Sequence, residues 1–333
     1  MIQFTNPIYN ILDRILLSVP LRFIVWVRSR ALWFLGIDIE QLRIDDPRLV
    51  CDLTKGNFDQ SNLTAVKNLL VHTPSGHAFY PTRNSKQTLV RESSTWDAIY
   101  AINTHGYIPR KTSTLPKLEG TNCIIPIAKN YYHWLFDELP FTLSARAIMN
   151  DKDFLVHETL TSFQKNAIDF LGIKTKNVAR WIKPDATLIP KERHISGIPP
   201  IQIIEELRST FLDGIGEKSK TEERIYISRR NSTRSLSTES EFESQLEEIG
   251  FRILFLEKME LFSQIKFFKN AKIVVGAHGA GLSNLVWSGE STKVFELMPE
   301  NFHNSCYESI SDLMNLDYRR LSYANYRDVF KYL

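Results

Sequence analysis

Two stretches of this chain hold residue types whose spacing suits chemistry. The first is Asn130-Tyr-Tyr-His-Trp-Leu-Phe-Asp-Glu-Leu-Pro140. On a helix, His133 and Asp137 fall one turn apart on the same face, with Asn130 three residues before the histidine. A carboxylate so placed fixes an imidazole's tautomer and raises its basicity, which suits general-base work. A packed aromatic helix with a polar edge shows the same spacing, so spacing alone leaves both readings open. The second stretch is Ile273-Val-Val-Gly-Ala-His-Gly-Ala-Gly-Leu-Ser-Asn-Leu-Val-Trp287. A β-branched run empties into a loop with Gly276, Gly279 and Gly281, and His278 stands inside it. Glycines let the backbone approach a ligand, and the N–H groups opening the next helix face any anion. The natural guest carries phosphate.

Arg229, Arg230 and Arg234 form a third group, with Asn231 and Ser232 between them. Arginine grips phosphate through two parallel N–H bonds, so the group suits a diphosphate. A solvated basic loop is the alternative; a glycine-rich loop in the same sheet favours anion contact. His278 is placed to donate to a phosphate oxygen. Glu296 ends the Val294-Phe295 run, where acids accept from ribose hydroxyls, or else cap a buried edge.

Other chemistries are poorly supported. The loop order is Gly-x-x-Gly-x-Gly rather than Gly-x-Gly-x-x-Gly, and it comes late in the chain, so a nicotinamide fold fits badly. There is no phosphate-binding Gly-x-x-x-x-Gly-Lys-Ser/Thr loop and no Gly-x-Ser-x-Gly elbow. Asp151-Lys152-Asp153 has the form used by metal-dependent sugar transferases. It precedes a predicted strand, whereas such motifs follow one, so no metal ligand is assigned.

The elements that must position these residues alternate cleanly after residue 223. Strands are predicted over 224–228, 251–256, 272–275 and 293–297. Helices are predicted over 259–270 and 306–316, and a helical stretch begins over 281–287. Another helix opens at a capping box of Thr238 with Glu241 and closes at Gly250. Such alternation implies a parallel sheet covered on both faces, with ligands beyond the carboxyl ends of its strands. Upstream, residues 122–127 and 154–156 read as strands, and 131–143 and 163–171 as helices. The glycines and charges of 213–223 mark a boundary. Two α/β lobes follow, 1–215 and 222–333, with a cleft between them as the default ligand site.

Composition sets limits. An apolar share of 43% and a charged share of 24% are ordinary for a globular protein. A net charge of +3, spread along 333 residues, gives no reason to expect nucleic acid. Three distant cysteines, Cys51, Cys123 and Cys306, make neither a disulfide framework nor a zinc site, and a reducing cytoplasm fits them. Sequons at Asn62 and Asn231 are short enough to arise by chance. Residues 11–35 are rich in Leu, Ile, Val, Trp and Phe, but Arg14, Pro20, Arg22, Arg28 and Arg30 interrupt them. No run reaches the ~18 apolar residues that span a bilayer. The segment reads as a helical flank or as a basic amphipathic anchor on an anionic membrane.

Three segments in order then match a known pattern. With Asn130–Pro140, Tyr226-Ile-Ser-Arg-Arg230 and Val275–Leu285, plus Val294-Phe-Glu-Leu297 and Asn304-Ser-Cys-Tyr307, the chain resembles the glycosyltransferase 61 family over residues 122–318. The resemblance implies a two-lobed GT-B fold with Rossmann-like lobes. It also implies inverting sugar transfer from a nucleotide-sugar donor, with no metal and no other cofactor. On the donor side it points to Arg229, Arg230, His278, Gly279, Gly281 and Glu296. Arg234, Gly276, Ala280 and Asn284 lie in or beside the same segments and complete the candidate donor set. His133 and Asp137 match the N-terminal motif and are the candidate catalytic pair. Family members commonly carry a basic residue after Leu-Pro, where Phe141 stands here, which leaves acceptor contacts there unassigned. Eukaryotic relatives usually sit behind an anchor helix. This chain resembles instead the bacterial members tied to capsule and surface polysaccharide, cytoplasmic or peripheral on the inner membrane face. The acceptor would be a glycan or a lipid-linked sugar. The rivals are a nucleotide-binding scaffold of a polysaccharide-assembly complex and a phosphate-handling hydrolase.

Overall fold

The computed structural model describes residues 39–42, 63–81, 87–93, 112–150, 152–191, 194, 196–216, 223–230, 238–300 and 302–333. The basic apolar segment 11–35, the asparagines of both sequons, Cys51, Asp151 and Arg234 lie outside them. The fold is mixed α/β with several sheets, and the chain divides into two compact units. One comprises Met1–Asn122 and Ala179–Lys191, the other Cys123–Val178 and Glu192–Leu333. This line differs from a division at 215–222: residues 123–178 and the helix Ile201–Leu212 fall in the same unit as the C-terminal sheet.

The first unit holds a seven-stranded sheet of β1 (Ile39–Leu42), β2 (Leu63–Lys67), β3 (Leu70–His72), β4 (His77–Pro81), β5 (Gln87–Val90), β6 (Lys117–Asn122) and β9 (Trp181–Pro190). Only β1–β5 and β6–β9 pair in parallel; every other pairing is antiparallel. The expected parallel sheet therefore does not describe this unit. The cause is loop length. Only Thr73-Pro-Ser-Gly76 separates β3 from β4, with Gly76 at φ 70° and its N–H bonded 2.9 Å from the His72 carbonyl. So short a link permits a hairpin and forbids a crossover.

The second unit contains a parallel pair, β7 (Phe154–Val156) with β8 (Thr175–Asn177), and a wholly parallel sheet in the order β11-β10-β12-β13-β14. Those strands are β10 (Glu223–Ile227), β11 (Arg252–Leu254), β12 (Ala271–Ala277), β13 (Lys293–Met298) and β14 (Asp317–Ser322). Predicted strand 122–127 instead splits. Asn122 ends β6, and Ile124 makes one isolated bridge to Leu155. The helices are α1 (Tyr131–His133), α2 (Leu139–Met149), α3 (Ser162–Phe170), α4 (Ile201–Leu212), α5 (Glu239–Glu248), α6 (Leu261–Lys269) and α7 (Cys306–Leu313).

Strand alternation sets the two faces of the parallel sheet. Tyr226, Val275 and Phe295 are in register and pack with Phe242, Leu246, Phe251 and Val329 in one apolar cluster. Ile227, Gly276 and Glu296, also in register, fall on the opposite face. The expected capping box before α5 does not form. Thr238 makes no cap bond, and its hydroxyl lies 2.7 Å from the Tyr326 hydroxyl. Gly250 does close the helix, at φ 85°. Among the described residues, no helix is long and apolar enough to cross a membrane.

Candidate active site

The strand order reverses between β10 and β12, because the chain runs from β10 outward to β11 and then back across to β12. Ligands of open α/β sheets collect beyond the carboxyl ends at such a reversal. Here those ends deliver Ser228-Arg229-Arg230 and His278-Gly279, the two candidate segments, side by side. Small residues let them approach. A Cβ on Gly276 would stand 3.1 Å from Ile227 Cδ1, and one on Gly281 would stand 3.0 Å from Leu256 Cδ1. At Gly279 the missing side chain's place is taken by the Arg229 guanidinium, whose Cζ is 2.7 Å from the ideal Cβ position.

Arg229 is thus laid across the loop. Its Nη1 donates to the His278 carbonyl. Its backbone N–H donates to Glu239 Oε1 at 2.9 Å, and the same oxygen accepts from the Tyr226 hydroxyl at 2.7 Å. Arg230 turns elsewhere. Its guanidinium pairs with buried Glu243 and lies 5.6 Å from the Phe255 ring centre, while the side chain is 49% exposed. Glu243 also accepts from Ser228 Oγ at 2.6 Å.

His278 is buried, with 6% of its side chain exposed, and its ring packs 4.8 Å from Phe302 and 5.2 Å from Tyr307. Its Nδ1 donates to Glu296 Oε1, and the Tyr318 hydroxyl donates to Oε2. Burial and then the charge of Glu296 push the Tyr318 phenol above its ordinary range, so it stays protonated and donates. Both oxygens of Glu296 are met by protein, and the carboxylate orients His278. Tyr318 carries no sequence signal, because β14 is an edge strand, largely polar, with no apolar alternation to mark it.

The helical stretch after Gly279 is a 3₁₀ turn, Ala280–Trp287, rather than an α-helix. Asn284 lies fully buried within it. Its Nδ2 donates to Gln264 Oε1 at 3.0 Å and to the Gly281 carbonyl at 3.1 Å. Its Oδ1 accepts from Trp287 Nε1 at 3.1 Å and from the Tyr131 hydroxyl at 3.0 Å. An amide so filled holds protein segments together and has no hydrogen-bonding capacity left for a donor nucleotide. Arg208 on α4 closes the turn's far end, its Nη1 2.6 Å from the Val286 carbonyl and 2.8 Å from that of Ser288.

The Tyr131–Asn284 bond brings the His133 segment to the glycine loop within one compact unit. Asn130 caps α1, its Oδ1 accepting from Tyr132 N at 2.9 Å and His133 N at 3.4 Å. One π turn, Trp134–Glu138, follows before α2. Pro140 offers no N–H to the carbonyl four residues back and would crowd it, and the widened turn relieves that. His133 and Asp137 meet across this turn, Nδ1 to Oδ2 at 2.8 Å. The Asp137 side chain is 1% exposed and that of His133 is 30% exposed.

Two residues that spacing did not single out join them. Ser196 Oγ donates to Asp137 Oδ2 at 2.5 Å and lies 3.1 Å from His133 Nδ1; His194 Nε2 is 3.1 Å from Asp137 Oδ1. Burial acts to raise the Asp137 carboxyl, but the hydrogen bonds from His133, His194 and Ser196, with the charge of His133, hold it below its usual range. The signal for the newcomers was faint: a histidine and a serine just ahead of Gly197-Ile-Pro-Pro200, a turn-rich stretch. Among the described residues no group of three or more His, Cys, Asp or Glu is placed to hold a metal ion.

A family model described as Glycosyltransferase 61 matches residues 131–295. A beta-1,2-xylosyltransferase of Arabidopsis thaliana is 32% identical over 72 residues, which is 22% of this chain and 14% of that protein. A second beta-1,2-xylosyltransferase, RCN11 of Oryza sativa subsp. japonica, is 34% identical over 79 residues, 22% of this chain and 15% of that protein. The alpha-1,3-arabinosyltransferase XAT3, also of Oryza sativa subsp. japonica, is 27% identical over 116 residues, 32% of this chain and 20% of that protein. The chain thus spans a fifth or less of the length of these relatives. Together the matches support the glycosyltransferase 61 family for this chain.

Proposed function

We propose that this chain is an inverting glycosyltransferase that moves a sugar from a nucleotide-diphosphate donor to a glycan or lipid-linked acceptor without a metal ion. The observation that carries the reading is the sheet reversal, where Arg229 and the Gly279–Gly281 loop leave adjacent strand-ends and Tyr131 ties in the segment bearing His133. The acceptor hydroxyl oxygen forms the new bond to the anomeric carbon as the bond to the diphosphate breaks on the opposite face. His133, held through Nδ1 by Asp137, takes the hydroxyl proton on Nε2. Arg229 and the loop amides stabilise the charge that gathers on the leaving diphosphate, and His278 donates to one of its oxygens through Nε2–H, which requires the doubly protonated ring because Nδ1–H is given to Glu296. Donors fixed in this way are worth about 3–4 kcal/mol each in a transition state. A positioned base adds roughly 10²–10⁴ in rate.

A GT-B type scaffold, a role in bacterial surface polysaccharide and a cytoplasmic location, with residues 11–35 at the inner membrane face, complete the reading. They rest on the motif resemblance. The activities of the plant relatives, a xylosyltransferase and an arabinosyltransferase, make pentose donors the first to try. The test is a panel of nucleotide sugars, scored first for thermal stabilisation and then for nucleoside diphosphate released in the presence of glycan acceptors. His133→Ala is expected to keep donor binding and lose transfer. Unchanged turnover in that variant removes His133 as the base, and donor binding without release under any acceptor favours a scaffold.

A further inference from the structure

Asp137 is the meeting point of three side chains, two of them from a segment 57 and 59 residues further along. Counting hydrogens settles which atom donates in each contact. A serine hydroxyl has a single hydrogen. Ser196 gives it to Asp137 Oδ2, so toward His133 Nδ1 its oxygen can only accept. Asp137 Oδ2 is itself an acceptor 2.8 Å from the same nitrogen. Both neighbours therefore require the proton of His133 to sit on Nδ1. On the other carboxylate oxygen, His194 must present Nε2–H to Oδ1. The two imidazoles are held in opposite tautomers by one carboxylate.

We propose that His194 and Ser196 are positioning residues: they fix the Asp137 carboxylate so that neutral His133 stays in its Nδ1–H form, with its lone pair on Nε2. This rests on the reading of His133 as the base, because only there does the location of the lone pair matter to the reaction. His194 anchors Oδ1 and so sets the rotation of the carboxylate plane. Ser196 closes a triangle with Oδ2 and Nδ1 that the opposite tautomer cannot complete. In transfer, the acceptor proton goes to Nε2 as the new glycosidic bond forms and the diphosphate departs with the electron pair. The resulting imidazolium keeps both of its Nδ1 contacts, so nothing in the cluster has to rearrange.

The experiment reads the tautomer directly. Long-range ¹H–¹⁵N correlation of the His133 ring is recorded in the full chain at alkaline pH, for the wild type, His194→Ala, His194→Gln, Ser196→Ala and the His194→Ala/Ser196→Ala double variant. The wild type is expected to show Nδ1 protonated and Nε2 bare. The double variant is expected to show a mixture of tautomers, and His194→Gln, which keeps an N–H for Oδ1, to restore the single form. With transfer measured alongside, His194→Ala should lower kcat by roughly tenfold, part of the 10²–10⁴ a positioned base supplies, with donor KM within about twofold. A single Nδ1–H form that persists in the double variant overturns the proposal. If His194→Ala does not fold, Ser196→Ala and His194→Gln carry the test, since each alters one contact and leaves the ring or its donor in place. A tautomer that shifts in a chain with no transferase activity keeps the positioning claim and removes the base assignment instead.

Discussion

Gly279→Ala is the sharpest probe of the donor site, because it displaces Arg229 without replacing it. Gly279 has φ 164° and ψ 169°, an extended conformation that alanine adopts without strain. The obstacle is a neighbour: the new Cβ would overlap Arg229 Nη1 and lie 2.7 Å from its Cζ. A guanidinium on a flexible stem moves aside, so the chain should fold. It then loses its bond to the His278 carbonyl, a stability cost of about 1 kcal/mol. The larger loss should appear in ligand binding. A hydrogen bond to a charged group is worth about 1.5–3 kcal/mol, which is roughly a 10- to 150-fold weaker diphosphate complex.

Calorimetric titration with uridine, guanosine, cytidine and thymidine diphosphates measures it, in wild type, Gly279→Ala, Arg229→Ala and the double variant. If alanine works by evicting the guanidinium, the double variant binds no more weakly than Arg229→Ala, since contacting residues are not additive. Wild-type affinity in Gly279→Ala, or losses that sum in the double variant, would refute Arg229 as the diphosphate's partner.

Two further outcomes follow from the same geometry. Asn284→Ala strands Tyr131, Gln264 and Trp287 partners in a buried site and should cost about 3 kcal/mol in urea unfolding, against about 1 kcal/mol for Tyr131→Phe, which removes a single donor. Asp137 has its carboxyl depressed by its hydrogen-bond donors despite burial, so its contribution is complete above the unfolded value near ~3.9 and disappears as pH falls through the lower folded value. Urea midpoints taken downward from pH ~6 should therefore fall more steeply in wild type than in Asp137→Asn, and parallel curves would contradict the assignment.

What the sequence disclosed depended on how local each cause was. The His133–Asp137 contact is set by one helical turn, and the pairing of Arg229 with the glycine loop by two strand-ends in one sheet, so short-range pattern reached both. His194 and Ser196 were out of reach, because 57 and 59 residues separate them from Asp137 and no periodicity spans that distance. Glu296 lies inside β13, two residues short of its end, and its partner is not foreseeable from pattern: Tyr318 stands on a polar edge strand that apolar alternation cannot mark. Asn284 looked like a loop amide available to a ligand. Its saturation depends on Tyr131 and Gln264 arriving from other elements, which only packing supplies. The first unit's sheet departs from the parallel expectation for a local reason: the four-residue turn at Thr73–Gly76 decides the antiparallel pairing of β3 with β4.

The unit carries two imidazoles that each lean on a buried carboxylate through Nδ1, and their surroundings separate their roles. His133 keeps 30% of its side chain exposed, whereas His278 keeps 6% and is walled by Phe302 and Tyr307. A base must meet an acceptor hydroxyl that arrives from solvent, and an exposed ring serves that. A group that steadies a leaving phosphate gains from exclusion of water, because a hydrogen bond strengthens as the local dielectric falls. The carboxylates differ in the same sense. Asp137 shares its load among three donors around one exposed ring, while Glu296 is fully buried and braced by a phenol that stays protonated. Exchanging the two histidines' duties would place the base behind an aromatic wall and the phosphate donor in bulk water. The proposed assignment of His133 to the proton and His278 to the diphosphate is thus supported by their difference in exposure, with sequence spacing supplying only the pairs.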